Sequence, residues 1–197
     1  MKLLSRRPVL ICLALAVLMA ATRFYSHFGS SIYLPDASLA VFFLAGFYLA
    51  RLALPAMAAF VLLLLAAGWI DYYAIVFRGV SDECISPAYW FLIPTYACMW
   101  YAGRWFVARQ QMKWANVGLL AAVAWGSTTV AFLISNGSYF LLSGNLAGMS
   151  LMQYAGGIAK YYPQYLFCTM LYLACAAALH IALANSGKKT NHSAERV

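Results

Sequence analysis

Leu52 to Phe77 reads LALPAMAAFVLLLLAAGWIDYYAIVF, and the nineteen residues before Asp71 carry no charge. A helix that crosses a bilayer needs about 20 mostly apolar residues, whereas a helix on the surface of a soluble domain keeps a polar face. This run has no polar face until Asp71. Pro55 lies near its start, and Gly68-Trp69-Ile70-Asp71-Tyr72-Tyr73 lies near its far end, where Trp and Tyr suit a membrane interface. The stretch predicts a membrane-spanning helix.

Similar runs lie on both sides. Upstream, Pro8 to Tyr25 follows Lys2, Arg6 and Arg7, and Ala37 to Tyr48 follows Leu34-Pro35-Asp36, a Pro and an Asp that suit a helix start. A basic start and an apolar core are also the marks of a cleaved signal peptide. A soluble protein would then have to follow, and hydrophobic runs continue instead, so the first run is read as a retained helix. Downstream, a fourth helix is predicted from Ser86-Pro87 to Val107 with a kink at Pro94, a fifth from Ala115 to Ile134, and a sixth from Gly157 to Ala184 with Pro163 in its first turns. Ser135 to Gly156, rich in Gly, Ser, Asn and Tyr, has the length of a short surface helix or a folded cap. The polar tail from Ser186 is expected to be disordered.

Over the 197 residues, 65% are hydrophobic and 9% charged, with a mean hydropathy of +0.77, against about 45–50% apolar and about 25% charged in soluble domains. The expected fold is therefore all-α and integral to a membrane: one six-helix domain over 1–185 and a cytoplasmic tail over 186–197. The net charge of +8 sorts by side and does not point to nucleic acid. With the N-terminus inside, the inner segments hold Lys2, Arg6, Arg7, Arg51, Arg104, Arg109, Lys113, Lys188, Lys189 and Arg196, and the outer ones only Arg23, Arg78 and Lys160. The positive-inside rule selects both termini in the cytoplasm. Asp36, Asp71, Asp82 and Glu83 then fall outside, and the polar variety of the outer loops (26–36, 78–85 and 135–156) predicts a small-molecule site on that face.

Within that face, Cys84 stands out. Cys12, Cys98, Cys168 and Cys175 lie in apolar runs, where a thiol is usually a small hydrophobe. Cys84 lies in an outer loop with no second outer cysteine to pair with. Asp82 and Glu83 beside it disfavour the thiolate that a nucleophile needs, with Arg78 offsetting part of this. The only His on that side, His27, is a loop away. Metal ligation fits better, because a metal deprotonates the thiol it binds. A bare ion needs three or four protein ligands, but a macrocycle with its own equatorial nitrogens needs one axial ligand, which admits haem or cobalamin. Asp71, near the outer end of its helix, either marks the interface or faces a cavity or partner. Tyr72, Tyr73, Tyr89 and Trp90 read as an aromatic belt or as walls of an amphipathic pocket, and His27 as a loop residue or a second axial ligand. Ala16 and Ala20, one turn apart, give the first helix a small-residue stripe that permits close helix contact.

With Asp71 at the end of the third helix, Cys84 in the following loop and Tyr89 just inside the fourth, the chain resembles the BtuM family, the vitamin B12 substrate-binding subunits (S components) of energy-coupling-factor (ECF) transporters. The resemblance covers nearly all of the chain up to the tail. It implies an S-component-like bundle in the bacterial inner membrane, with a cobalamin site open to the periplasm. Cys84 would be the axial ligand to cobalt, and Asp71 and Tyr89 would line the pocket. Ala16 and Ala20 match the small-residue motif by which S components dock on the coupling subunit, whose ATPases supply the energy. In keeping with this, the sequence has no Gly-x-x-x-x-Gly-Lys-Ser/Thr signature. A cobalt-bound thiolate can also favour loss of cyanide from the opposite face, so Cys84-assisted decyanation of cyanocobalamin is a further expectation, with turnover needing a reductant. The competing reading is a membrane thiol-redox or haem-handling protein that uses Cys84; it lacks a Cys-x-x-Cys pair.

Overall fold

The computed structural model describes residues 2–27, 35–79, 86–109, 116–144, 146 and 148–194, and gives the backbone alone for 2–7, 24–27, 53–55 and 183–194. Among the described residues every regular element is helical: α1 (Lys2–His27), α2 (Ser38–Tyr48), α3 (Ala53–Arg78), a 3-10 turn (Pro87–Phe91) that runs into α4 (Leu92–Arg109), α5 (Val117–Leu142), α6 (Leu151–Ala159) and α7 (Tyr162–Ala194).

Three segments, Ala56–Arg78, Val117–Leu142 and Tyr162–Ala182, are long and apolar enough to cross a membrane; Pro8–Arg23 and Ser38–Tyr48 are shorter apolar helices. The long helices turn much of their apolar surface outward. Leu62, Leu65 and Trp69 of α3, Leu133 and Leu141 of α5, and Phe167 and Leu179 of α7 are all exposed. Water would penalise such a surface; hydrocarbon would not. The chain is thus an all-helical protein whose apolar helices suit a membrane.

The core is built around α2. Its sequence, SLAVFFLAGFY, is apolar on all sides, which is the pattern of a helix enclosed by others. Eight of its residues, including Val41, Phe42, Phe43 and Leu44, are buried. It packs most extensively on α4, and also on α1, α3 and α7. Two glycines make the closest of these contacts possible. A Cβ on Gly46 would lie 2.0 Å from the Trp100 carbonyl oxygen, and one on Gly103 would lie 2.2 Å from that of Phe43. Any side chain at either position would force the helices apart.

The ends of the elements follow local chemistry. Asp36 Oδ1 accepts from the Ser38 backbone N–H (2.9 Å) and hydroxyl (2.6 Å), which satisfies a donor that the first turn of α2 leaves open. Gly79, at φ +66°, closes α3 in the left-handed conformation. Ser86 Oγ accepts from Ala88 N, and Pro87 opens the 3-10 turn. Two residues before Pro94 the backbone changes from 3-10 to α, at Leu92. Pro94 then falls in the first turn of α4, where its missing N–H costs nothing.

α1 begins at Lys2, six residues before the expected Pro8, and three further boundaries differ from expectation. α5 runs eight residues beyond Ile134, because Ser135, Asn136 and Ser138 stay helical: Asn136 Nδ2 and Ser138 Oγ donate back to the carbonyls of Phe132 and Ser135. The expected sixth helix is divided. The 135–156 segment does hold most of a short helix, α6 (Leu151–Ala159), started by a reciprocal Ser150–Gln153 capping box; α6 takes in residues 157–159 of the expected sixth helix, and α7 begins only at Tyr162, with Pro163 in its first turn. α7 also continues to Ala194, through most of the segment expected to be a disordered tail; apart from Gly187, that segment holds neither Gly nor Pro to stop a helix.

Candidate functional site

The C-terminal part of α1, the start of α2, the C-terminal half of α3 and the start of α4 meet in a buried polar cluster. Arg23 and Asp71, each 7% exposed, form a two-pronged ion pair: Nε donates to Oδ1 (2.6 Å) and Nη2 to Oδ2 (2.5 Å). Nη1 donates to Ser38 Oγ (3.0 Å) and Tyr96 Oη (2.9 Å) and lies 3.5 Å from Asp36 Oδ2. Tyr89 Oη donates to Asp71 Oδ2 at 2.8 Å. Its hydroxyl lies beside Gly68, one turn back along α3, where a Cβ would only just make contact.

Below the cluster the Phe42 ring stacks on Tyr96 at 4.3 Å between centroids, so the charges rest on an aromatic floor. In so apolar a setting, the geometry of Arg23 and Asp71 matters. Two parallel charge-assisted bonds compensate a large desolvation penalty that a single bond would not. Arg23, counted among outer-loop cations in the positive-inside tally, is instead inside the bundle.

Asp71 and Tyr89, read separately from the sequence, are therefore joined. Tyr72 and Trp90 are not: at 50% and 72% exposed they turn outward, each one residue past its inward neighbour, about 100° around α3 and about 120° around the 3-10 turn. Tyr72 instead neighbours Trp69 and Phe77, as in an aromatic belt. His27 ends α1 with its side chain outside the described residues, and Cys84 lies wholly outside them. In sequence, Cys84 is two residues before Ser86, where the chain re-enters the end of the bundle that holds Tyr89 and Asp71. Ala16 is half-buried and packs against the core, and Ala20 is half-buried as well; the outward face of α1 is Leu10, Leu13 and Val17.

A cavity of about 380 Å³ opens at the same end, between the start of α2, the last turns of α5 and the start of α7. Asp36, Asn136, Gln164, Tyr165, Cys168 and Thr169 are among its walls. The sequence reading assigned Asn136 to a loop and the α7 residues to an apolar span, so it missed this cavity. It also missed Arg23, although an arginine at the end of one apolar run and a lone aspartate inside another are a charge pair waiting to be matched. Among the described residues no group of three or more His, Cys, Asp or Glu could hold a metal ion. Compared with known proteins, the chain matches no family model and no curated sequence.

Proposed function

We propose that this protein binds cobalamin at the outer face of a bacterial inner membrane, as the substrate-binding S component of an ECF-type transporter. In this reading six spans cross the membrane, formed by α1 to α5 and α7, with both termini cytoplasmic. α2 alone is too short to cross hydrocarbon, at about 16 Å for eleven residues against about 30 Å; its enclosure by the other helices makes that tolerable.

The observation that carries the reading is the Tyr89–Asp71 hydrogen bond at the end of the bundle to which the Cys84 connection is joined. It couples two of the three residues on which the family resemblance rests. The Cys84 thiolate supplies the axial ligand to cobalt, and the corrin lies across the end of the bundle against Tyr89 and Asp71. Because Asp71 is engaged by Arg23, contact with the ligand requires either that Asp71 stay paired and present the Tyr89 side of the network, or that the pair open. A coupling subunit and its ATPases would supply the energy for release inward.

The test is colour. Protein purified from cells supplied with vitamin B12 should be pink, with a red-shifted corrin spectrum that Cys84→Ala abolishes. A colourless wild-type protein would overturn cobalamin as ligand; an unchanged shift in the variant would overturn Cys84 as the axial ligand.

A further inference from the structure

We infer that the cavity between α2, α5 and α7 is a subsite for a neutral primary-amide arm of the ligand, read by Asp36 together with Asn136 and Gln164. The inference rests on the reading of the ligand as a corrinoid, whose ring carries acetamide and propionamide arms. At about 380 Å³ the cavity lies at the small end of ligand pockets. It is too small for a corrin and ample for one or two arms.

The walls match an amide. A primary amide presents two N–H donors and a carbonyl acceptor. Asp36 is acceptor-only. Its Oδ1 already takes two bonds from Ser38, while Oδ2 faces Arg23 only at 3.5 Å. With its side chain 44% exposed, Oδ2 keeps acceptor capacity toward the opening. The amides of Asn136 and Gln164 can complement an arm's carbonyl or its N–H. Asn136 is held in place, since Nδ2 donates to Phe132 O (2.9 Å) and its backbone carbonyl accepts from Tyr154 Oη (3.0 Å). Thr169 donates to Tyr165 O (2.9 Å), which fixes another stretch of wall.

Charge selects against an acid arm. Among the described residues of the cluster one guanidinium faces two carboxylates, and Arg23 gives both prongs to Asp71 while Asp36 Oδ2 lies 3.5 Å away, so an acid arm would lie beside a partly exposed carboxylate. Lys160 sits over the Tyr161 ring at the rim, where solvent screens it. An arm hydrolysed from amide to carboxylate loses the N–H that Asp36 accepts and meets a like charge.

The experiment compares cyanocobalamin with its peripheral monocarboxylates, in which one ring amide is hydrolysed, on the full-length protein in detergent. Wild-type protein should bind at least one monocarboxylate about ten-fold or more weakly than the parent, the lower end of what a charge-assisted hydrogen bond contributes. Asp36→Asn should narrow that gap to about two-fold. Asn retains an oxygen that can accept from Ser38 N, so the start of α2 survives, and unchanged helical content reports folding. Equal discrimination by both proteins, or loss of every corrinoid by a variant of unchanged helical content, overturns the subsite and leaves the proposed function standing. If wild-type protein binds no corrinoid, both fall.

Discussion

Arg23 and Asp71 lie 48 residues apart in the chain, and neither would be tolerated alone in so apolar a place. Removing one partner of a buried pair leaves an uncompensated charge, at a cost of about 3–5 kcal/mol. Arg23→Ala and Asp71→Ala should each lower stability by about that amount in detergent unfolding. The double variant should lose clearly less than the sum, as a double-mutant cycle would show. Tyr89→Phe removes one bond to a charged acceptor and should cost about 1.5–3 kcal/mol. Additive losses would mean that the two charges act independently. Asp71 could be flagged from sequence because an acid after nineteen uncharged residues is conspicuous. Arg23 was conspicuous by charge as well, at the end of another apolar run, but nothing local to it says which of the other helices it will meet. Cys84 shows the opposite case, a residue legible from chemistry alone that lies outside the described structure.

Among the elements, the α2–α4 crossing makes the sharpest prediction. Gly46→Ala drives a methyl group into the Trp100 carbonyl, and Gly103→Ala one into that of Phe43. Each should lower stability by about 1–3 kcal/mol or more, since the clash is with backbone that cannot rotate away. Gly126→Ala is the control: nothing lies within 4 Å of its Cβ position, so the same exchange in a helix should be neutral or raise the melting temperature. A comparable loss at all three positions would show that the crossing is not specially close. The sequence made α2 and α3 legible to within a residue at each end, because a change from apolar to polar marks their limits. α5, α6 and α7 were not, because hydrogen bonds from Asn136 and Ser138 back to their own helix carried it through a polar segment. The capping box at Ser150 likewise began a new helix where hydropathy shows no break.

For the molecule as a whole, the outward apolar surface of α3, α5 and α7 predicts that the protein stays with membranes through alkaline carbonate washing and is released only by detergent. Release by carbonate would overturn the membrane reading. The proposed six-span arrangement further predicts that tags on the two termini are both shielded in sealed cells while Cys84 reacts with an impermeant thiol reagent from outside. The glycine seam bears on how such a bundle could open. Where two helices touch backbone to backbone through Gly46 and Gly103, they can neither slide nor roll without collision, so α2 and α4 must travel as a single stator. α7, the least buried of the long apolar helices, is held to the rest by polar bonds from Tyr172 to Pro35 O and from Tyr162 to Trp125 and Thr129, and by Met170, Leu173 and Ala176 packed against the core. Of the three long apolar helices α7 therefore has the least buried surface to part from its neighbours, and the cavity between α2, α5 and α7 lies along that seam.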